Sequence, residues 1–452
     1  MGRFAGRFSG RFKGRFSHVS LGSLASQALA AETQGLAIDL TDNYFYQSTG
    51  RYGSAKVKDT GTPANNFDSI PGDLLTYTGT TKLTRQSDGV YRYGPHNLYV
   101  NSATPANQSI TVVSGASYSV TITGSVSVTA SGAATGTWTA GTTTFTAATA
   151  TLTLGSTSGS GTVHIRRTPS DSTYLPTTSS ARYGLPFEWN TSGVLQGILV
   201  EPQATNLFLN NTTGATQTIT VSNATVYTVS FFGTGSITFS GANSSTLNGT
   251  GATTRVSTTF TTGSTSLVCT VSGSVTDVQV ETGSVATSVI RTYAASATRA
   301  LDVITLATSA FPFSASEGTL YARTLRRDAS YSIACVIDDG SNSNTIALVV
   351  SDTGNPRCNM LKLSVAQANV ATETDPPVGS FVKQAIAWAS NDANISSLGE
   401  IGVDDNSVTL PTVTTLRLGD RVGGARSING YISHMSYRPW RVTNGDMQTE
   451  TA

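Results

Sequence analysis

Between Ser180 and Asn210 the chain gathers Leu185, Phe187, Trp189, Ile198, Leu199, Val200, Leu207, Phe208 and Leu209 into one short stretch, in surroundings dominated by Thr, Ser, Gly and Ala. Large apolar side chains at that density can nucleate a core where small hydroxylated flanks cannot. The stretch is therefore expected to act as a structural hub, with whatever lies on either side organised around it.

The two sides resemble each other. Upstream, Gln108-Ser-Ile-Thr-Val112, Tyr118-Ser-Val120, Gly124-Ser-Val-Ser-Val128, Gly132, Phe145-Thr146 and Thr173-Tyr-Leu-Pro-Thr177 follow in order. Downstream, Gln217-Thr-Ile-Thr-Val221, Tyr227-Thr-Val229, Gly235-Ser-Ile-Thr-Phe239, Gly241, Phe260-Thr261 and Ser288-Val-Ile-Arg-Thr292 repeat that order. Gln217 lies 109 residues after Gln108 and Thr292 lies 115 after Thr177, so the second copy carries an insertion of a hairpin's length. Alternation of small and β-branched residues between frequent turns marks each copy as a sandwich or jelly roll.

Ala181-Arg-Tyr183 followed by Gly197-Ile-Leu-Val-Glu-Pro-Gln-Ala-Thr-Asn-Leu207 resembles a motif of bacteriophage tail and head-fibre proteins. In that family the motif precedes a jelly roll similar to carbohydrate-binding modules, whose end resembles Val278-Gln-Val-Glu-Thr-Gly-Ser-Val-Ala-Thr-Ser288 and Ala297-Thr-Arg-Ala-Leu-Asp302. The segments Gly318-Thr-Leu320, Phe381-Val-Lys-Gln-Ala-Ile-Ala-Trp388, Leu416-Arg-Leu-Gly-Asp420, Asn429-Gly-Tyr-Ile432 and Tyr437-Arg-Pro-Trp440 resemble the laminin-G-like or concanavalin A-like sandwich that often follows. The resemblance covers residues 181 to 445 and implies a virion structural protein, a fibre, spike or appendage engaged in host attachment. By analogy its modules are expected to bind host-surface polysaccharide, and such a fibre is expected to be a homotrimer.

The expected fold is all-β: tandem jelly-roll modules and a C-terminal concanavalin A-like sandwich, with an extended N-terminal anchor and a short helix. Its expected division is an anchor at 1–18, the helix at 19–35, a β-rich region at 36–102, the first module at 103–180, the hub motif at 181–210, the second module at 211–300 and the sandwich at 301–452. The helix rests on Leu21, Leu24, Ala28 and Leu29, which fall near one helical face. The first module's strands are poor in bulk and are expected to need a neighbour for stability.

The anchor is built from four Gly-Arg-Phe units, ending at Phe4, Phe8, Phe12 and Phe16. In an extended chain a period of four puts every Phe on one face and Arg3, Arg7, Arg11 and Arg15 on the other. A Gly at every fourth position disfavours a helix by about 1 kcal/mol each relative to Ala. Three readings compete for the segment, a docked peptide, a nucleic-acid or membrane contact and a disordered tail; the expectation is docking on another virion protein (portal, neck, capsid or tail), with Phe anchors and Arg pairing to acidic rims.

Only 12% of the residues are charged and the net charge is +1, which argues against nucleic acid as a partner. No run of 18 apolar residues and no signal-peptide segment is present, so no membrane insertion is expected and the virion, assembled in the host cytoplasm, would leave by lysis. Three widely spaced cysteines, Cys269, Cys335 and Cys358, read as free buried thiols.

Glycan cleavage would call for paired carboxylates. None lies between Asp88 and Asp171 or between Glu201 and Asp277, and the acids of the third domain, Asp338, Asp339, Asp404, Asp405 and Asp420 among them, read as turn residues. No enzyme, cofactor or metal site is expected; His18, His96, His164 and His434 form no ligand spacing. Glu201 is expected to be buried and bonded to an arginine such as Arg182, forming the structural hub together with Asn206. Trp138, Trp388 and Trp440 are the candidate sugar-stacking residues, with burial the ordinary fate of each. Two other readings stay open: a purely architectural capsid, neck or tail decoration, favoured by a lack of exposed aromatic platforms, and a depolymerase, favoured by two carboxylates facing one cleft.

Overall fold

The structure, a computed structural model, describes residues 35–41, 44–47, 75–351 and 354–452. The Gly-Arg-Phe units with their Arg and Phe residues, and the helix expected over 19–35 apart from Gly35, lie outside the described residues. The fold is all-β. Among the described residues the one α-helix is Asn444–Thr451, started by Thr443, whose hydroxyl accepts from the Asp446 N–H at 3.1 Å.

The two repeated modules share one topology. In the first, a four-stranded sheet runs Gly136–Trp138, Ser127–Gly132, Thr151–Ser158, Gln108–Thr111, and a three-stranded sheet runs Gly141–Thr146, Ser117–Ile122, Val163–Arg167. In the second the corresponding orders are Thr246–Asn248, Ser236–Gly241, Ser266–Ser272, Gln217–Thr220 and Gly251–Thr261, Val226–Gly233, Val275–Thr282. Alternation decides which side chains meet between the sheets: Val128 and Ala130 in one copy, Ile237 and Phe239 in the other, point inward while their hydroxylated neighbours face water. The second module is filled by Phe208, Tyr227, Phe231 and Phe239; the first relies on Tyr99, Tyr118 and Trp138 and receives Tyr293 from the end of the second.

The third core lies between two large sheets. One runs Thr76–Thr78, Val303–Ala307, Thr415–Leu418, Ser332–Asp338, Thr345–Val350, Pro356–Lys362, Val365–Ala371. The other runs Phe187–Trp189, Leu195–Val200, Gly430–Arg438, Glu317–Arg326, Val382–Ala389, Asp392–Ser397, Glu400–Ile401, with Leu36–Asp39 also paired to Gly430–Arg438. The 36–102 region is thus divided: Leu36–Asp39 and Thr76–Thr78 belong to this sandwich, while His96–Asn97 pairs with Arg182–Tyr183 beside the first module. The 181–210 stretch is divided as well, since Phe187–Trp189 and Leu195–Val200 enter the sandwich and Ala204–Asn206 pairs with Ala297–Arg299. Side chains as large as Phe187, Trp189, Ile198 and Val200 find in the wide sandwich the partners that a thin jelly roll lacks. The strand leaving each module therefore feeds a different sheet of one sandwich.

Gly197 is fixed by this arrangement. Its φ is 109°, and a Cβ there would stand 2.2 Å from the Ile432 carbonyl oxygen of the adjoining strand. Cys269, Cys335 and Cys358 are free and buried, and burial pushes the Cys269 and Cys335 thiols up to about 12.

Candidate functional site

Glu201 ends the sandwich strand Leu195–Val200 and opens the turn into the second module, which places its carboxylate where three units meet. Glu201, Lys82 and Arg299 are sealed from water, and Arg327 is partly buried. Oε2 lies 3.2 Å from Lys82 Nζ and 3.2 Å from Arg299 Nη1, and Oε1 lies 3.1 Å from Arg327 Nη1. Ser288 donates to it twice, from its N–H and its hydroxyl, each at 2.7 Å. Burial opposes ionisation, but the charges of Arg299, Lys82 and Arg327 outweigh it and hold the carboxyl well below the usual range. The arginine expected at Arg182 is therefore supplied by Arg299 and Arg327; Arg182 pairs instead on the strand beside Asn97, and its Nη1 donates to Pro176 O at 3.5 Å. Nearness in sequence did not decide the partner, because Arg299 returns beside Ala204 on the antiparallel strand.

Asp302 is the second buried acid here. Lys82 Nζ contacts its Oδ2, the Glu201 N–H donates to the same oxygen at 2.7 Å, and the Tyr77 hydroxyl donates to Oδ1 at 2.8 Å. Burial and then the charge of Asp302 raise the Tyr77 phenol well above its ordinary value, so it remains a donor. A further shell extends the charges. Glu188 accepts from the Tyr431 hydroxyl at 2.6 Å, and Glu281 accepts from the Thr287 N–H and hydroxyl at 2.9 and 2.6 Å. Burial raises both carboxyls. Arg255, partly buried, donates to Thr287 O and, at 2.7 Å, to Ser230 Oγ. Lys82, Arg299 and Arg327 are thus paired with Glu201, and Lys82 and Arg299 with Asp302 as well.

Asn206 holds the second module's entry. Its Nδ2 donates to Val278 O and Ile290 O, each at 2.9 Å, and its Oδ1 accepts from Phe208 N and Val280 N, each at 3.0 Å. Asn97, which the sequence reading passed over, does the same for the first module: donors to Val163 O and Leu175 O at 3.3 and 3.0 Å, acceptors from Tyr99 N and Ile165 N at 3.1 and 3.0 Å. The signal was present, because His96-Asn-Leu-Tyr-Val-Asn-Ser102 matches Thr205-Asn-Leu-Phe-Leu-Asn-Asn211 at the same offset of 109.

Beside Asn97, His96 accepts the Arg167 N–H on Nε2 at 2.7 Å and places Nδ1 2.8 Å from Gly94 O, a pairing that only the neutral ring can make. His164 Nε2 donates to His96 O at 2.9 Å. Burial, above all, lowers both rings from 6.5 to about 4. Between those values the unfolded chain binds protons that the fold refuses. The first module is therefore expected to keep its full stability above pH 6.5 and to lose about 3 kcal/mol per histidine as the pH falls toward 4. An NMR titration of the two rings with midpoints near 6.5 would contradict this.

The candidate sugar-stacking residues are not brought together. Trp138 is 7% exposed and stacks on Phe145 with centroids 5.6 Å apart, and Trp388 is 1% exposed between Gly318 and Tyr437. These two rings are core residues, the ordinary fate expected of each, rather than sugar-stacking platforms. Trp440 is half-buried against Ala385, Ala387, Val442 and Met447. The large hydrophobic residues that are exposed, among the described residues, are aliphatic, Val403 and Leu363 most of all. Of the third-domain acids, Asp338 is paired with Arg417 at 2.5 Å, and Asp392 and Asp404 share Arg441 at 2.6 and 3.6 Å. Among the described residues no group of three or more His, Cys, Asp or Glu could hold a metal, and no helix is long and apolar enough to cross a membrane.

No family model and no curated protein sequence matches the chain. Among solved structures, a carbohydrate-binding module (CBM40) of a Ruminococcus gnavus IT-sialidase bound to α2,3-sialyllactose is similar at 10% identity and a TM-score of 0.28, over 31% of this chain and 84% of that one. Domain 4 of an extracellular arabinanase from Geobacillus stearothermophilus, in complex with arabinotriose, is similar at 14% identity and a TM-score of 0.28, over 34% and 73%. A SAP-like pentraxin from Limulus polyphemus is similar at 12% identity and a TM-score of 0.25, over 31% and 74%. Likenesses at this level carry no argument about what this chain binds, and none of the three is described as a virion protein.

Proposed function

We propose that this protein is a structural component of a bacteriophage particle, fixed by its Gly-Arg-Phe segment to a portal, neck, capsid or tail protein and projecting its jelly rolls and sandwich as one rigid arm of a homotrimeric appendage. The arm carries no catalysis; it positions surfaces that contact host polysaccharide, each weakly, with avidity across the appendage supplying attachment. The observation that supports it most is the junction around Glu201, where Lys82, Arg299 and Arg327 tie an N-terminal segment, the second module's return strand and the sandwich to one buried carboxylate. Largely buried, paired charges at a boundary favour one relative placement of the units over all others. That suits a projecting arm, as does a surface of Thr and Ser hydroxyls.

A second reading, an arm that decorates the particle and binds no glycan, is favoured by the absence of aromatics from the strongly exposed hydrophobic residues among the described residues. A glycan array probed with the intact, multivalent protein separates the two. Binding that survives Trp440→Ala but is lost on monomerisation is expected for the first reading. Mass spectrometry of purified particles must find the chain at all, or both readings end.

A further inference from the structure

Among the described residues, three lysines are present, and the two outside the junction, Lys362 and Lys383, are only partly buried. Lys82 is the one lysine of the junction; the other cations there are arginines, whose guanidinium is no nucleophile. Its Nζ touches Asp302 Oδ2, Glu201 Oε2 stands 3.2 Å from the same nitrogen, and the side chains of all three residues are 0% exposed. We propose that Lys82 and Asp302 become joined by an intramolecular amide bond, formed by the chain itself with Glu201 as proton carrier.

Each requirement of the condensation has a group in place. Glu201, kept ionised by Arg299 and Arg327, takes a proton from the Lys82 ammonium and passes it to Asp302 Oδ2. The freed amine attacks Asp302 Cγ; the negative charge that develops on Oδ1 is met by the Tyr77 hydroxyl at 2.8 Å. A second proton leaves the nitrogen by the same carboxylate for Oδ2. The Cγ–Oδ2 bond breaks, water departs, and Glu201 ends as it began. Of the three ammonium protons one stays on the amide and two leave in the water, and one positive and one negative charge disappear together. The direction follows from the surroundings: a fully enclosed ion pair is costly in a medium that solvates charge poorly, and a neutral amide removes that cost. The amide N–H keeps the Leu199 carbonyl oxygen as acceptor, which already takes a hydrogen bond from Lys82 Nζ at 2.7 Å.

The bond would close a loop of 220 residues that contains both jelly rolls. A pull between the chain before Lys82 and the sandwich after Asp302 would then pass through the amide and bypass both modules, which is the load path an appendage held by its N-terminus experiences.

Intact-mass measurement of the full-length protein under denaturing conditions tests this. The wild type is expected to be lighter than its sequence by one water, to resist tryptic cleavage after Lys82, and to yield a branched peptide joining residues 82 and 302. Lys82→Arg, Asp302→Ala and Glu201→Gln are each expected to restore the full mass. Should these variants fold poorly, the wild-type protein still decides: full mass with separate peptides for 82 and 302, or a lost water located anywhere else, overturns the proposal.

Discussion

Replacing Glu201 with alanine is expected to destabilise the protein by about 3–5 kcal/mol, the cost of leaving buried charges without their partner. The substitution removes the one acid that touches Lys82, Arg299 and Arg327 together, so Lys82 and Arg299 are left to Asp302 alone and the partly buried Arg327 loses its carboxylate. The Ser288 N–H and hydroxyl lose their acceptor in the same step. Because the lost contacts join units rather than sit within one, the second module and the sandwich are expected to unfold as separate transitions in urea, where the wild type shows one. Glu188→Gln supplies the contrast: burial already raises that carboxyl toward its neutral form, and an amide oxygen can still accept the Tyr431 hydroxyl, so its cost should be near 1 kcal/mol. The pH dependence has a definite sign as well. Glu201 contributes stability that is present above the ordinary glutamate value of 4.5 and is lost as the pH falls below it toward the depressed folded value. A Glu201→Ala protein that melts as one unit within 1 kcal/mol of the wild type would remove the junction from its structural role.

The physics of the sequence reached some of this and missed some, for reasons that can be named. Alternation within short strands is a local signal, so the two modules and their shared order were readable from runs such as Gln108-Ser-Ile-Thr-Val112 and Gln217-Thr-Ile-Thr-Val221. The role of Glu201 as a buried acid was readable from its apolar setting. Its partners were not, because Lys82 and Arg299 reach it through strand pairings more than ninety residues apart in the chain, and such pairings leave no local trace. The same limit explains the unit boundaries: Leu36–Asp39 is hydrogen-bonded to His434–Tyr437 across nearly the whole described chain, and nothing within Leu-Ala-Ile-Asp announces it. Trp138 and Trp388 show a different limit. A tryptophan's chemistry suits both a core and a sugar platform, and only its surroundings choose between them.

The paired asparagines allow a comparison within one molecule. Asn206→Ala and Asn97→Ala are each expected to cost about 3–4 kcal/mol, since each deletes four hydrogen bonds and strands buried backbone groups that no water reaches. Aspartate should do no better: it keeps the two accepted bonds but turns an oxygen toward two carbonyl oxygens where the amide had a donor. The two sites should differ in reach. Asn97 is tied to Val163, Ile165 and Leu175, all within the first module and its return, so hydrogen exchange in the alanine variant should quicken there and leave the sandwich protected. Asn206 holds Val278, Val280 and Ile290, which flank Glu281 and Ser288, and Ser288 in turn holds Glu201. Faster exchange in Asn206→Ala should therefore extend from the second module into the strand Leu195–Val200 and the turn at Arg327. If exchange quickened over equal spans in both variants, the second module would be no more firmly joined to the sandwich than the first, and the single rigid arm would have to be given up.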